Sequence, residues 1–258
     1  MESNEVWACG TADVVVGFPQ YSLKEVLEVL HTNKFRRLPI VGEEHELEGI
    51  VVIADIIRWL QSGTVDVEKK VPTIMTKELV TIEASETLET ATRAMRENNI
   101  GCLPIVREGN KLVGIITERD ILNFRGQPIE CLNAPVSQFL RDDEFLTLQF
   151  ESTVQETLNK LVEKDVRRVI LVENDKLKGI LTASDILDGF ITEGEKIRQK
   201  PVSGLATLEV LFVTPKTPVS AAIALMRQES IGQVPVVDDG YIAGVFTERD
   251  ILLMLAAM

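Results

Sequence analysis

The chain has 258 residues, of which 45% are hydrophobic, and its formal net charge is −13 at pH 7. So acidic a chain lacks the basic face that general nucleic-acid binders present, which argues against nucleic acid as a partner. No apolar run approaches the roughly 18 residues of a membrane span, and the chain does not start with a basic, apolar leader. We therefore expect a cytoplasmic protein without membrane attachment.

The residue types that most often carry catalysis or metals are sparse. Cys9, Cys102 and Cys131 form no CxxC pair and are odd in number, which argues against a disulfide framework and a zinc site. The two histidines, His31 and His45, fall at the end of a predicted helix and in a charged turn. No Ser/His/Asp set or P-loop is present. The sequence therefore predicts neither a metal site nor an enzyme.

A step of 65 residues repeats through the chain. Four glycines keep this step: Gly49, Gly114, Gly179 and Gly244. Four aspartates keep it six residues later: Asp55, Asp120, Asp185 and Asp250. The chain thus contains four copies of one unit, numbered 1 to 4 in chain order. We assign the units to residues 1–66, 67–125, 130–192 and 197–258.

Each unit carries the same succession of predicted elements. A strand-like piece comes first, at 13–17, 79–83, 145–150 and 208–214. An amphipathic helix follows, with apolar residues every three or four positions. A β-branched strand comes next, at 37–41, 102–106, 168–172 and 233–237, and a polar turn leads to a second strand and a second helix. Each unit is therefore β-α-β-β-α, and the fold class is α+β.

Short signals mark where the first helices begin and where the units are joined. The predicted caps are Ser22 with Glu25, Ser152 with Gln155, and Thr217 followed by Pro218. The predicted linkers are the polar stretches 61–72, 125–135 and 191–201. A unit of this size buries only part of its surface alone. We therefore expect two pairs that share a core sheet to sheet, unit 1 with unit 2 and unit 3 with unit 4.

The second helix of each unit opens on a Thr-x-x-Asp motif that has two interpretations. Thr117 and Asp120 are typical of a helix cap, which satisfies free backbone N–H groups. The same geometry suits a nucleotide, since a helix N-terminus attracts phosphate and a carboxylate accepts ribose hydroxyls. On the second interpretation, the preceding glycine lets the ligand approach the backbone. Thr182 with Asp185 and Thr247 with Asp250 repeat the motif, whereas unit 1 has Val52 in place of threonine.

Arginines form a second pattern. The pairs Arg36-Arg37 and Arg167-Arg168 precede the first long strand of units 1 and 3, whereas units 2 and 4 carry Gly101-Cys102 and Gly232-Gln233 there. Long side chains at the first two sites are suited to phosphate, and the glycines leave room, which predicts unequal clefts. The other interpretation is that these arginines form surface ion pairs. Arg119 and Arg249 lie inside the TERD copies of the motif and either contact phosphate or pair locally with Glu118 and Glu248.

The stretch IGCLPIV followed by KLVGIITERDIL resembles a cystathionine-beta-synthase (CBS) domain. All four units resemble it, so the likeness covers nearly the whole chain. Two CBS domains form a Bateman module. A chain of four is similar to archaeal stand-alone CBS proteins and to the gamma subunit of AMP-activated protein kinase. The resemblance implies two pseudo-twofold Bateman modules with clefts for AMP, ADP, ATP or S-adenosylmethionine.

The resemblance also implies roles for individual residues. The ribose and phosphate side would be held by Asp55, Thr117, Asp120, Thr182, Asp185, Thr247 and Asp250. Phosphate would be held by Arg36, Arg37, Arg167, Arg168, and also Arg119 and Arg249 on the phosphate interpretation. The adenine pocket would be lined by Val80, Thr81, Ile100, Pro104, Leu146, Thr147, Val213, Ile231 and Pro235. Val52 puts the first site in question, and Ile170 replaces the proline of unit 3.

These features lead to a functional hypothesis with two alternatives. The resemblance implies a non-catalytic, energy-sensing regulator that binds adenine nucleotides, requires no cofactor and acts on another protein. The alternatives are a sensor of S-adenosylmethionine and a purely structural protein that dimerises or docks a partner without a ligand. The four units are expected to form either a pseudo-symmetric disc within one chain or a homodimer of chains.

Overall fold

A computed structural model describes residues 5–63, 66–124, 133–140 and 145–256. Within them the helices are α1 (Val6–Cys9), α2 (Leu23–Asn33), α3 (Ile53–Gln61), α4 (Leu88–Glu97), α5 (Glu118–Phe124), α6 (Val154–Glu163), α7 (Ala183–Glu193), α8 (Val219–Gln228) and α9 (Glu248–Ala256). The strands are β1 (Arg37–Val41), β2 (Leu47–Val52), β3 (Ile82–Glu83), β4 (Cys102–Arg107), β5 (Lys111–Thr117), β6 (Thr147–Gln149), β7 (Arg168–Glu173), β8 (Lys176–Thr182), β9 (Gln233–Asp238) and β10 (Tyr241–Thr247). None of these helices is long and apolar enough to cross a membrane. Cys131 and parts of the predicted linkers and unit boundaries lie outside the described residues.

Most predicted elements are present, with a few corrections at their ends. Ser22 and Glu25 form the predicted capping box of α2. Helix α6 instead begins after Thr153, which forms its box with Glu156, so the predicted cap at Ser152 and Gln155 is one residue early. Helix α8 begins after Pro218, with no side-chain cap; Thr217 instead accepts a hydrogen bond from the Thr214 N–H at 3.0 Å. Pro218 is thus the N-cap and not the first helical residue.

Two other expectations about loops and strands are wrong. The predicted linker 191–201 is largely helical, because α7 runs to Glu193 and a 3₁₀ helix continues from Gly194 to Gln199. Buried Ile197 anchors that turn in the core. The strand-like pieces 13–17 and 208–214 make only single bridges, Gly17 with Ile40 and Val213 with Val236.

Each unit contains one antiparallel hairpin with a register shift next to its repeated glycine: β1-β2, β4-β5, β7-β8 and β9-β10. A Cβ on the glycine would meet a neighbouring segment of the chain. At Gly114 it would lie 2.9 Å from the Thr11 carbonyl oxygen, and at Gly179 it would lie 3.2 Å from the Thr207 carbonyl oxygen. The repeated glycine thus admits protein backbone, where the sequence had predicted the approach of a ligand.

That neighbouring segment is a crossing strap, which leads from one unit into the next. The strap 207–213 pairs first with β8 of unit 3, at Ile180, and ends on β9 of unit 4, at Val236. The strap 11–17 runs in the same way from β5 of unit 2 to β1 of unit 1, and 76–82 runs from β2 of unit 1 to β4 of unit 2. Units 1 and 2, and likewise units 3 and 4, are therefore joined by crossing backbone.

A buried valine precedes each of the three straps and packs on the unit that the strap leaves. These valines are Val6, Val71 and Val202, each with 0% of its surface exposed. Val6 belongs to the core that contains unit 2, and Val71 and Val202 belong to the core that contains units 1 and 3. Val136, also with 0% exposed, belongs to the core that contains unit 4. The exchange is reciprocal between units 1 and 2, where both straps are described.

The large hydrophobic cores join the units in a different combination from the expected pairs. One core unites unit 1 with unit 3 through α2, α3, α6 and α7, and the other unites unit 2 with unit 4 through α4, α5, α8 and α9. The apolar contact between the sheets of different units is smaller than these two cores. Val41, Leu47, Val106 and Leu112 form a cluster between the sheets of units 1 and 2, and a β8–β10 pair joins units 3 and 4 into the sheet β6-β7-β8-β10-β9. The helix stripes present the larger apolar faces, so they dominate the packing between units.

Candidate functional site

The strand-to-helix corner of units 2, 3 and 4 is built by the repeated threonine and aspartate. In unit 2, Asp120 Oδ2 accepts hydrogen bonds from the Thr117 N–H at 2.8 Å and from Thr117 Oγ1 at 2.6 Å. Asp185 binds Thr182 in the same way, at 2.7 Å for both bonds, and Asp250 binds Thr247, also at 2.7 Å. The predicted helix cap is therefore present, and it is formed by one carboxylate oxygen alone. Among the described residues, Oδ1 of Asp120 and of Asp185 accepts no hydrogen bond.

The corner of unit 1 differs, as Val52 predicts. Asp55 Oδ2 accepts from the Val52 N–H at 3.3 Å and lies 3.4 Å from Thr76 Oγ1. Its other oxygen, Oδ1, accepts from Arg58 Nη1 at 2.9 Å, and Arg58 Nη2 reaches Asp165 of unit 3 at 2.9 Å. Both oxygens of Asp55 are thus engaged by the protein itself.

A backbone hydrogen bond fixes the residue that faces the start of each second helix. The carbonyl oxygen of Arg36, Gly101, Arg167 or Gly232 accepts from the first helical N–H of its own unit, at 2.9, 3.2, 2.9 and 3.0 Å respectively. These four residues are therefore equivalent. In units 1 and 3 this residue is an arginine, whereas in units 2 and 4 it is a glycine without a side chain.

The room left by the glycines is filled by the protein. A Cβ on Gly232 would lie 2.9 Å from Glu248 Oε2 and 3.5 Å from Arg119 Nη2, and a Cβ on Gly101 would lie 3.1 Å from Glu118 Oε2. Arg119 of unit 2 therefore lies beside the glycine of unit 4. The glycines do leave room, as predicted, but charged side chains of the protein occupy it.

Arg119 and Arg249 pair across the units and not locally. Arg119 Nε donates to Glu248 Oε1 at 2.7 Å, and Arg249 Nε donates to Glu118 Oε1 at 3.2 Å. The two bonds are reciprocal between units 2 and 4. Arg249 also bonds Asn99 of unit 2. The expected local ion pair within each TERD is therefore replaced by a pair of exchanged contacts.

All six predicted arginines belong to one central arginine cluster: Arg36, Arg37, Arg119, Arg167, Arg168 and Arg249, with Glu118 and Glu248 among them. Loss of solvation is the first cause that lowers the pKa of Arg36 and of Arg167, and neighbouring guanidinium groups lower it further. Both side chains nevertheless remain exposed to solvent. The two guanidinium groups thus lie near other positive charges while their residues remain open to water.

Arg168 shows the strongest effect. Burial, followed by the charges of Arg36 and Arg167, lowers its pKa to about 10. Glu118 and Glu248 act in the opposite direction without cancelling this effect. Burial is thus the main cause of this shift in pKa, and the neighbouring positive charges add to it.

Arg37 and Cys102 lie at the edge of the same centre. Arg37 Nη1 is buried and has no hydrogen-bond partner among the described residues. Burial raises the pKa of the Cys102 thiol, while Arg37 and Arg167 oppose the rise.

The residues predicted to line the adenine pocket differ in their exposure to solvent. Pro104 and Pro235 are buried in β4 and β9, and Val213 is only 7% exposed and bonds the Pro235 carbonyl at 2.9 Å. The other predicted residues lie half-buried beside the strands or, for Thr147, exposed: Val80, Thr81, Ile100, Leu146, Thr147 and Ile231. The buried residues, Pro104, Pro235 and Val213, are thus part of the sheets or bonded to them.

Val213, the adenine residue predicted in the strand-like piece of unit 4, is not equivalent to Thr81 and Thr147. Thr81 and Thr147 each precede by one residue the position that Val213 occupies in unit 4, so their counterpart is Phe212. Phe212 and Leu211 are 51% and 44% exposed, on the strap that leaves β8 two residues before Thr182. Two consecutive large apolar residues in the strand-like piece of unit 4 were the signal that the sequence offered and that was missed.

A pocket of about 190 Å³ opens between units 1 and 3 beside the corner of unit 3. Arg36 and Lys34 line it from unit 1, and Thr182 and Ser184 line it from unit 3. His31 also lines it, with its Nδ1 2.5 Å from Asp188 Oδ1. Lys34 and Ser184 were not predicted, because a pattern within one repeat does not indicate which repeat will face it. No group of three metal-ligating side chains was found in the described ranges.

Comparison with known proteins gives the family. The family model described as "CBS domain" matches residues 9–62, 70–126, 136–191 and 202–257. The crystal structure of protein MJ1225 from Methanocaldococcus jannaschii superposes with a TM-score of 0.90 at 21% identity, covering 97% of this chain and 99% of that one. Sequence similarity to MJ1225 reaches 35% over 125 residues, 44% of either chain.

Two further relatives show how far the likeness extends. A 33.4 kDa protein of the ribosomal RNA operon of Thermofilum pendens is 26% identical over 268 residues, which cover 90% of this chain and 84% of that protein. The inosine-5'-monophosphate dehydrogenase of M. jannaschii is 36% identical over 116 residues, which cover 45% of this chain and 22% of the enzyme. The matches to MJ1225 and to the dehydrogenase thus span less than half the length of those curated relatives. Since the family model covers most of the chain in four consecutive matches, the protein belongs to the CBS-domain family and carries four CBS domains of α+β fold arranged as Bateman modules.

Proposed function

We propose that this chain is a non-catalytic regulatory protein that binds adenine nucleotides in clefts between paired CBS domains. One observation carries the proposal: among the described residues Oδ1 of the corner aspartates in units 2 and 3 accepts no hydrogen bond, and Thr182 of the unit 3 corner lines one pocket with Arg36. A ribose needs an acceptor for its hydroxyls, and a phosphate needs cations and N–H donors. The two requirements meet at one place.

The cleft at Asp185 best supports the ribose and base. Asp185 Oδ2 is held by Thr182, which leaves Oδ1 for a 2′- or 3′-hydroxyl. The strap that begins at Thr207, on the neighbouring β8, carries the exposed side chains of Leu211 and Phe212. An aromatic ring and an aliphatic side chain suit the faces of a purine. Ser184 and Arg36 line the adjoining pocket, where the phosphate would lie.

Charge supports a nucleotide over S-adenosylmethionine. The sulfonium of S-adenosylmethionine is a cation, and it would enter a site whose nearest charged groups include Arg36, Arg167 and Arg168. A phosphate of AMP, ADP or ATP relieves the repulsion among those guanidinium groups. The overall charge of −13 repels nucleotides at a distance, so the affinity must come from these local cations.

The four clefts are not equivalent under this proposal. The clefts at Asp120 and Asp185 have an oxygen that no described residue occupies, whereas Asp250 is buried, with 5% of its surface exposed. Asp55 is bound by Arg58 and is the poorest candidate. Ligand entry would bridge two CBS domains and alter their packing, and a regulated protein partner or a second copy of the chain would respond to that change. This is how the chain would report the energy state of the cytoplasm.

The test is calorimetric titration of the full chain with AMP, ADP, ATP and S-adenosylmethionine. We expect the nucleotides to bind, and Asp120→Ala and Asp185→Ala each to remove one site. Asp238→Ala, at the exposed end of β9, is the matched control and should change nothing. Tighter binding of S-adenosylmethionine than of any nucleotide would overturn the choice of ligand. If no compound gives heat or raises the melting temperature at millimolar concentration, the purely structural alternative stands.

A further inference from the structure

Two positions of the strand-to-helix corner change together along the chain: the residue that faces the start of the second helix, and the first residue of that helix. In units 1 and 3 the facing residue is arginine and the first helical residue is apolar: Arg36 with Ile53, and Arg167 with Ala183. In units 2 and 4 the facing residue is glycine and the first helical residue is glutamate: Gly101 with Glu118, and Gly232 with Glu248. Each pair of consecutive units therefore has one arginine corner and one glutamate corner.

The glutamates occupy the place from which the arginines extend in the other two units. A Cβ on Gly101 would lie 3.1 Å from Glu118 Oε2, and a Cβ on Gly232 would lie 2.9 Å from Glu248 Oε2. Both glutamate side chains are only 18% exposed, so little bulk water screens their charge. Where units 1 and 3 have the first carbon of an arginine side chain, units 2 and 4 thus have a carboxylate.

Each glutamate is held in place by an arginine of the other glutamate corner. Arg119 Nε donates to Glu248 Oε1 at 2.7 Å, and Arg249 Nε donates to Glu118 Oε1 at 3.2 Å. These ion pairs fix the carboxylates beside the glycines, and they also match the charge of the two arginines. A glutamate corner therefore offers a ligand no surplus of positive charge from its own TERD residues.

The arginine corners differ in this respect. Arg36 and Arg167 make no ion pair within the described ranges. Burial lowers the pKa of both guanidinium groups, and Glu248 and Glu118, acting across the units, oppose this fall without reversing it. Arg36 also lines the pocket that opens beside Thr182 of the unit 3 corner. A phosphate in that pocket therefore meets a cation that is not paired with a described carboxylate.

The ribose end of the corners, by contrast, is uniform. The threonine hydroxyl donates to the corner aspartate in units 2, 3 and 4, at 2.6, 2.7 and 2.7 Å respectively. At a glutamate corner, each further phosphate of a ligand brings negative charge toward a fixed carboxylate, and like charges at short range repel. The corners are therefore alike toward the nucleoside and unlike toward the length of its phosphate tail.

We propose that Glu118 and Glu248 determine ligand selectivity, because they restrict the clefts of units 2 and 4 to adenosine compounds with a short phosphate tail, adenosine itself or AMP. The cleft of unit 3, at an arginine corner, takes the longer tail of ADP or ATP. This inference rests on the proposed function, since it assigns ligands to the same clefts. One chain thus distinguishes two lengths of phosphate tail in different clefts.

Calorimetric titration of full-length variants tests the selectivity. In Asp185→Ala the remaining ligand-binding clefts are those of the glutamate corners, since Asp55 is already engaged by the protein. We expect this variant to bind AMP at least tenfold more tightly than ATP. Adding Glu118→Gln and Glu248→Gln keeps the side-chain size and removes both charges, so the affinity for ATP should rise at least tenfold while that for adenosine stays the same. Glu89→Gln, at the exposed start of α4, is the matched control and should change neither affinity.

The reverse variant leaves the arginine corner of unit 3. In Asp120→Ala with Asp250→Ala, ATP should bind at least as tightly as AMP. The inference is overturned, and the proposed function stands, if adenosine still binds but the two glutamine substitutions leave the ratio of ATP to AMP affinities unchanged. Tighter binding of ATP than of AMP by Asp185→Ala would overturn it as well. If neither adenosine nor any nucleotide binds the unsubstituted chain, the proposed function itself fails, and the inference fails with it.

Discussion

Arg58 and Asp188 occupy equivalent positions in units 1 and 3, and each makes an ion pair with the opposite unit, with the charges exchanged. Arg58 Nη2 donates to Asp165 Oδ1 at 2.9 Å, and Lys34 Nζ donates to Asp188 Oδ2 at 3.1 Å. Lys34 and Asp165 are themselves equivalent. The pseudo-twofold relation of these units is therefore broken by charge, and unit 1 complements unit 3 but not a second copy of unit 1.

Reversing one of these charges should weaken the contact between units 1 and 3. Arg58→Asp places two carboxylates opposite each other and also releases Asp55. Because Arg58 and Asp165 are 51% and 71% exposed at their side chains, the expected loss is small, about 1 kcal/mol or less in the free energy of unfolding by urea.

The matched rescue is the double variant Arg58→Asp with Asp165→Lys, which restores the attraction in the reversed order. A double-mutant cycle should recover most of the lost stability. If the double variant is as unstable as the sum of the two single variants, the ion pair does not couple the units.

Restoring the missing threonine should stabilise unit 1. Val52→Thr keeps the branched shape and adds a hydroxyl that caps the Asp55 N–H and donates to Asp55 Oδ2, as Thr182 does for Asp185. We expect a gain of about 0.5–1 kcal/mol in the free energy of unfolding. Thr182→Val should lose a similar amount, and the two variants together test whether the corner is one transferable structure.

The effect of Val52→Thr should also be measured in a chain that lacks the Asp55 carboxylate. In Asp55→Ala the Val52→Thr substitution should bring little or no gain, since a large part of the hydroxyl's effect depends on the carboxylate. An equal gain in both backgrounds would show that the hydroxyl acts elsewhere.

Local features of the fold could be predicted because their causes lie within a few residues. The helix stripes, the hairpins and the cap of Thr117 on Asp120 follow from spacing alone. The repeated glycines were found, but their role was misassigned, since the backbone that approaches Gly179 comes from Thr207, in a strap of the next unit. Similar repeats carry no local mark of which copy each will face. For that reason the cores between units 1 and 3 and between units 2 and 4 were not predicted.

In the candidate site, too, contacts within one unit were predictable and contacts between units were not. The threonine and aspartate of each corner were identified correctly as neighbours, and Val52 marked the departure at Asp55. The exchange of Arg119 and Glu248 between units was not predictable, because each TERD offers its own arginine and glutamate as the nearer pair. Convergence in space of residues more than a hundred positions apart depends on the assembly of all four domains.

A methyl group at Gly232 should disturb the exchanged ion pairs. In Gly232→Ala the new Cβ would lie 2.9 Å from Glu248 Oε2, so the carboxylate must move away from Arg119. We expect a loss of about 1 kcal/mol in the free energy of unfolding, of the size of a broken charged hydrogen bond. Gly204→Ala is the control, since its Cβ would meet nothing within 4 Å. Equal stability of the two variants would mean that Glu248 moves without cost.

Removing the most perturbed arginine should stabilise the ligand-free protein. Burial and the charges of Arg36 and Arg167 lower the pKa of Arg168 to about 10 in the folded chain, so the folded state binds that proton less tightly than the unfolded state does. The resulting cost is fully present below pH 10 and is relieved only as the pH rises from there toward the higher pKa of the unfolded chain. At pH 7, Arg168→Met keeps the apolar stem and removes the charge, so the melting temperature should rise by about 2 °C or more. Under the proposed function, saturating ATP should reverse the order, because only the wild type keeps this cation for the phosphates. A lower melting temperature of the ligand-free variant would mean that Glu118 and Glu248 already make the Arg168 charge favourable.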